Sequence, residues 1–130
     1  MTPDELKDRT KRFAVDTIRF ARTLPRDEAS RVMAKQLVRC ATSVGANYRA
    51  ACLAKSNPDM VSKLKIVEEE SDESQYWLEI LVDTETVEHE TTSRLHKEAN
   101  EIFKIMSASI KTLRKNQLSI VNRQSSIPTD

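Results

Sequence analysis

The residues able to do chemistry in this chain are few, and their spacing argues against most reactions. The only histidines are His89 and His96, and Thr86 and Ser93 stand three residues before them, where a Glu-x-x-His motif would need glutamate. An inward-facing di-metal carboxylate centre requires two such motifs on a helical scaffold, so no metal or other cofactor is expected. Neither Cys40 nor Cys52 has a histidine near it in sequence, and both read as small packing residues rather than nucleophiles. The single glycine, Gly45, falls inside a helical pattern, so there is no phosphate-binding loop; close approach of another helix backbone is the expected reason for it. These observations predict a non-enzymatic protein with no small-molecule substrate.

The densest charged run is Glu68-Glu69-Glu70-Ser71-Asp72-Glu73. Such a run is ordinarily a solvated helix face. Here Glu70, Glu73, Trp77 and Ile80 recur at helical spacing, so two carboxylates share a side with the only tryptophan. Tryptophan is enriched at interface hot spots, which makes Glu70, Glu73 and Trp77, together with Arg49, candidates for a contact between subunits. Arg39 and Arg49 are the candidate ion partners of the acids, within the chain or across that contact.

These residues must be positioned by long helices. A chain of 130 residues with one glycine, four prolines and 32% charged residues has the profile of a helical protein, and it is long enough for one domain with a core of its own. Pro3-Asp4-Glu5 suits a first helical turn. Leu6, Phe13, Phe20 and Leu24 then continue one face, with Thr10 and Thr17 between them, to about Thr23. Asp27 is placed to cap a second helix whose stripe is Met33, Leu37, Cys40, Val44, Asn47 and Ala51. Ser56-Asn57-Pro58-Asp59 opens a third, with Asn57 as the expected cap, running to about Glu85. The segment 86–92 reads as a connection, with His89 in a loop and His96 on an exposed first turn. A fourth helix from about Ser93 to Lys115 follows, with Leu95, Ala99, Ile102 and Met106 facing inward.

Short connections make the four helices an all-α, antiparallel up-down-up-down four-helix bundle over residues 1–116, with a polar, disordered C-terminal tail at 117–130. The second apolar stripes on the first helix (Ala14, Ile18, Ala21) and the fourth (Phe103, Ile110) favour this over a two-helix hairpin. The middles of the second and third stripes are polar. Ser43 and Asn47 are therefore expected level with Ser71 and Ser74 in a tight layer, with the facing helix supplying partners for Asn47.

About 18 Å of helix separates Cys40 from Cys52, too far for a disulfide. No apolar run reaches the roughly 20 residues of a membrane span, and the N-terminal twelve residues are charged throughout, so a cytoplasmic protein with no membrane association is expected. The net charge of +1 hides a strong asymmetry: residues 1–55 carry +6, residues 56–101 carry −9 and residues 102–130 carry +4. Two readings stay open, mutual neutralisation of helices within or between subunits, and a basic face directed at nucleic acid. The candidates for that face are Lys11, Arg12, Arg19, Arg22, Arg31, Lys35 and Arg39. Few aromatic residues interleave them, so any contact with RNA is expected to be to phosphates and to weaken with salt. The alternative is a protein-protein interaction scaffold with no nucleic-acid role.

Three blocks of sequence carry a resemblance to a known family: Ser43-Val44-Gly45-Ala46-Asn47-Tyr48-Arg49-Ala50-Ala51, then Lys63-Leu64-Lys65-Ile66-Val67-Glu68-Glu69-Glu70, then Asp72-Glu73 ahead of Tyr76-Trp77-Leu78-Glu79-Ile80-Leu81. In order and spacing they resemble the bacterial 23S rRNA intervening sequence proteins. The resemblance extends over roughly residues 10–115. It implies a four-helix protomer, self-association into a homopentamer ring, and a link to RNA. The similar accessory protein of diversity-generating retroelements binds RNA and a reverse transcriptase through a basic surface, so RNA or a nucleic-acid-processing protein is the implied partner.

Overall fold

The computed structural model describes residues 1–125, with side chains through Ser119, and contains four helices: α1 (Pro3–Ala21), α2 (Glu28–Cys52), α3 (Asn57–Asp83) and α4 (His89–Ser125). Each start has a local chemical cause. The Thr2 hydroxyl accepts from the Glu5 N–H at 3.1 Å while the Glu5 carboxylate accepts from the Thr2 N–H at 3.2 Å, a reciprocal capping box with Pro3 at the first position. Asp27 caps α2 by accepting from the Ser30 N–H at 3.0 Å, and that backbone hydrogen bond is the main cause holding its carboxyl below the usual range.

At α3 the cap is Ser56 rather than Asn57: the Ser56 hydroxyl accepts from the Asp59 N–H at 3.2 Å, and Asn57 is already helical. Pro58 is therefore the second helical residue, a position whose N–H has no intrahelical partner either.

The third connection is shorter than the sequence suggests. Glu85 adopts a left-handed φ of 57°, and the N–H groups of Glu85 and Thr86 close back on Val82 O (2.9 Å) and Leu81 O (3.0 Å). This is the paired Schellman closure, here with a glutamate where glycine is usual. The chain is thus turned by residue 88, and α4 begins at His89, not Ser93. Thr92 is buried and occupies the inward slot one turn before Leu95. The helix also passes Lys115 and continues to Ser125; the part of the expected tail at 126–130 lies outside the described residues.

Sequential helices pack against one another and α1 also touches α4, whereas the diagonal pairs make no contact among the described residues. The result is the all-α, antiparallel up-down-up-down four-helix bundle. Its core is formed by Phe13 of α1, Leu37 and Val44 of α2, Leu64, Val67, Leu78 and Leu81 of α3, and Ile102 and Met106 of α4, all essentially inaccessible. Each such side chain stabilises the fold by about 1.5–3 kcal/mol relative to exposure.

Gly45 explains the close α1–α2 contact. A Cβ there would lie 3.4 Å from Thr10 O and 3.6 Å from Lys11 N, so the helices meet backbone to backbone at this level. The α1–α4 seam is the least packed and is bridged by charge: Arg9 donates to Glu98 at 2.6 Å and also to Glu101, and Arg94 lies 3.6 Å from Asp16. No helix among the described residues is long and apolar enough to cross a membrane.

Candidate nucleic-acid interface

All seven basic candidates project from the outward sides of α1 and α2 and are exposed. Their roles then divide. Lys11, Arg12 and Arg19 are gathered with Arg94 of α4 around a shallow groove of about 470 Å³, floored in part by Val15 and flanked by Asp8 and Asp16. Among the described residues Lys11, Arg12, Arg19, Arg22, Arg31 and Lys35 form no ion pair, so their charge faces solvent. On α2 no acidic residue follows Glu28, which leaves Lys35 without an acidic neighbour on its own helix, while Arg31 has Glu28 one turn before it. Antiparallel packing with Gly45 at Thr10 brings Arg19 and Arg22 level with Lys35 and Arg31 along the bundle.

Arg39 is different. Its guanidinium donates to Glu73 at 2.6 Å and to Glu70 at 3.3 Å, both on α3, and to Cys40 Sγ at 3.0 Å. The hydrogen bond from Arg39 holds the Glu73 carboxyl below its usual range, and burial, reinforced by Glu73, pushes the Cys40 thiol up. Cys40, Glu70 and Glu73 present three donor atoms within 4.8 Å of one another, but the guanidinium already lies against them as their counter-cation. Glu70 and Glu73 are accordingly engaged within the chain, while Arg49 is exposed and makes no ion pair among the described residues.

The polar layer is built otherwise than the sequence suggests. Ser71 and Ser74 are fully buried, yet their hydroxyls donate one turn back along α3, to Val67 O at 2.7 Å and Glu70 O at 2.8 Å. Asn47 is half-buried and donates to Ser43 O and Ser43 Oγ on its own helix, at 2.9 and 2.8 Å. The facing helix supplies none of these partners, because a side chain that bonds the preceding turn is satisfied without crossing between helices. Thr10 and Thr17 of α1 do the same, to Leu6 O and Phe13 O.

Trp77 packs its ring partly against the core, with Tyr76 edge-on at 5.1 Å and half exposed. Its Nε1–H is buried and has no acceptor among the described residues. Arg94 is the groove residue that sequence reading missed. Its helix seemed to begin at Ser93, and a residue so near a presumed helix end offers no periodicity from which to assign a face.

Residues 5–108 match the family described as 23S rRNA-intervening sequence protein. A solved protein of unknown function from the S23 ribosomal protein family of Bacteroides thetaiotaomicron is 36% identical, with a TM-score of 0.79 over 85% of this chain and 99% of that one. No curated protein matches. With most of its length covered by that family and a solved relative 36% identical over 85% of the chain, the chain belongs to the 23S rRNA-intervening sequence proteins.

Proposed function

We propose that this chain is a non-enzymatic, ring-forming binding protein of the bacterial cytoplasm that engages RNA phosphates through the outward face of α1 and α2. The observation that supports this most directly is the set of exposed cations Lys11, Arg12, Arg19, Arg22, Arg31 and Lys35, which form no ion pair among the described residues, in a chain whose other well-placed arginines, Arg9 and Arg39, are spent on internal ion pairs. Phosphate contacts need charge and a rigid spacing more than side-chain variety, and helix surfaces provide both. The lack of exposed aromatic residues on this face favours backbone contacts over base stacking. The self-association is the homopentamer implied by the resemblance, and it would repeat the basic face around a ring.

Fluorescence anisotropy of a labelled structured RNA, titrated at low and physiological salt, tests the reading. Binding that weakens steeply with salt and is lost in an Arg19→Glu/Arg22→Glu variant supports it. Absence of binding at low salt overturns it and directs attention to a protein partner.

A further inference from the structure

Resting on the reading of the basic face as an RNA-binding surface, we propose that its grip lies in the groove between α1 and α4, where Arg94 joins Lys11, Arg12 and Arg19, and that the occupant is the backbone of an RNA duplex rather than a single strand. The groove is shallow, about 470 Å³, and sets these four cations against two carboxylates, Asp8 and Asp16. Arg12 and Arg94 also line an adjoining recess of about 300 Å³ that runs between the two helices to Phe13 and Leu95. The two guanidinium groups therefore stand on opposite walls of one seam.

Arg94 is free to take a phosphate. Its one ion-pair contact among the described residues is with Asp16 at 3.6 Å, too long for a hydrogen bond, and 82% of its side chain is exposed. Arg9, across the same seam, is held instead by Glu98 and Glu101. A phosphate arriving between Arg12 and Arg94 exchanges a loose contact for a charge-assisted hydrogen bond. Asp16 opposes that exchange, because its carboxylate lies beside the same guanidinium and repels the incoming anion.

The form of the groove selects the duplex. Lys11 and Arg19 lie on one rigid helix about 12 Å apart along its axis, a row that suits successive phosphates at fixed positions. A duplex presents such an array already ordered, whereas a single strand must be ordered to match it. Single strands are held by stacking their bases on aromatic rings as well as by charge. No aromatic residue among those described lines the groove. Phe13 is buried, and the one strongly exposed aromatic residue among those described, Tyr76, is on α3, which makes no contact with α1. Double-stranded RNA is recognised through its backbone and shape, which needs no such rings.

The test is fluorescence anisotropy of the full chain with two labelled probes, a blunt RNA duplex and an unstructured RNA strand of equal length, each over a salt series. The duplex should bind about tenfold or more tightly than the strand. Arg94→Ala should lower the slope of log affinity against log salt by about one unit, and Asp16→Asn should raise duplex affinity about two- to fivefold. Lys104→Ala, exposed on α4 outside the groove, should keep the parent slope. A strand bound as tightly as the duplex, an Arg94→Ala slope equal to the parent's or matched by Lys104→Ala, or no gain in Asp16→Asn overturns the groove while leaving the basic face as an RNA site. Failure of both probes to bind at low salt overturns the RNA reading itself, and the groove with it.

Discussion

Arg39 on α2 donates to Glu73 on α3 at 2.6 Å, and this pairing removes the arginine from the basic face to which its exposure alone would assign it. Arg39→Ala should therefore leave RNA affinity and its salt dependence near the parent values. Lys11→Ala or Arg12→Ala should weaken binding and lower the slope of log affinity against log salt by about one unit each. The check is anisotropy across a salt series; an Arg39→Ala slope that falls as far as the Lys11→Ala slope would mean the guanidinium leaves Glu73 to reach RNA.

The same pair sets a pH dependence whose sign is fixed. The Glu73 carboxyl is held below its ordinary range, chiefly by the hydrogen bond from Arg39. A carboxyl depressed in the folded state stabilises it at pH values above the ordinary glutamate range, and that contribution is lost as the pH falls through and below that range. Because both partners are partly exposed, the pair contributes no more than about 1 kcal/mol. Glu73→Gln should accordingly show a flatter loss of stability on acidification than the parent, measured as urea midpoints between about pH 3 and pH 6.

Glu85 holds a φ of 57°, a left-handed conformation that glycine adopts freely and other L-residues do not. Glu85→Gly should stabilise the protein by about 1 kcal/mol, provided the Schellman hydrogen bonds to Leu81 and Val82 persist. Thermal unfolding monitored at the helical circular dichroism band measures this. A lower midpoint would show that the glutamate side chain compensates its own backbone strain.

What could be read from the sequence and what could not divide along physical lines. The inward stripes of α2 and α3 were legible because apolar residues repeat at helical spacing, and Asp27 and Pro3 marked starts whose chemistry is local. Gly45 was legible for the same reason: a glycine inside a helix costs stability unless something must come close, and Thr10 does. The start of α4 was not. Thr91 and Thr92 are poor helix formers by propensity, and only tertiary burial of Thr92 shows that the helix has already begun. At mid-bundle Ser71 and Ser74 are buried, whereas Asn47, expected to find its partners on the facing helix, bonds back to Ser43 on its own. Helical spacing gives the face of a serine; it does not say whether the hydroxyl bonds forward to a neighbour or back to its own helix. The internal capture of Arg39 was only half legible, since the acids at 70 and 73 were visible while the facing of α2 on α3 had to come from three dimensions.

The contact at Gly45 supports a graded prediction. Alanine would place its Cβ 3.4 Å from Thr10 O, at the near edge of van der Waals contact, while helix propensity favours alanine by about 1 kcal/mol. Gly45→Ala should thus change stability little. Gly45→Leu has no space against the α1 backbone and should destabilise by about 1–3 kcal/mol as α1 is pushed away. Urea unfolding of both variants makes the comparison, and equal midpoints would show that α1 moves without cost.

Trp77 offers a test of the proposed assembly through a single atom. Its Nε1–H is buried without an acceptor among the described residues, which in an isolated chain costs about 1–3 kcal/mol, and Tyr76 beside it is half exposed. If the neighbouring subunit of the ring supplies the acceptor, Trp77→Phe keeps most of the packing and removes only the donor. Assembly should then dissociate at a protein concentration about tenfold higher than the parent, while protomer stability is unchanged or slightly raised. Light scattering over a dilution series, with urea unfolding at the lowest concentration, separates these effects. An unchanged dissociation profile would place Trp77 outside the subunit contact and leave its orphaned indole as a feature of the protomer alone.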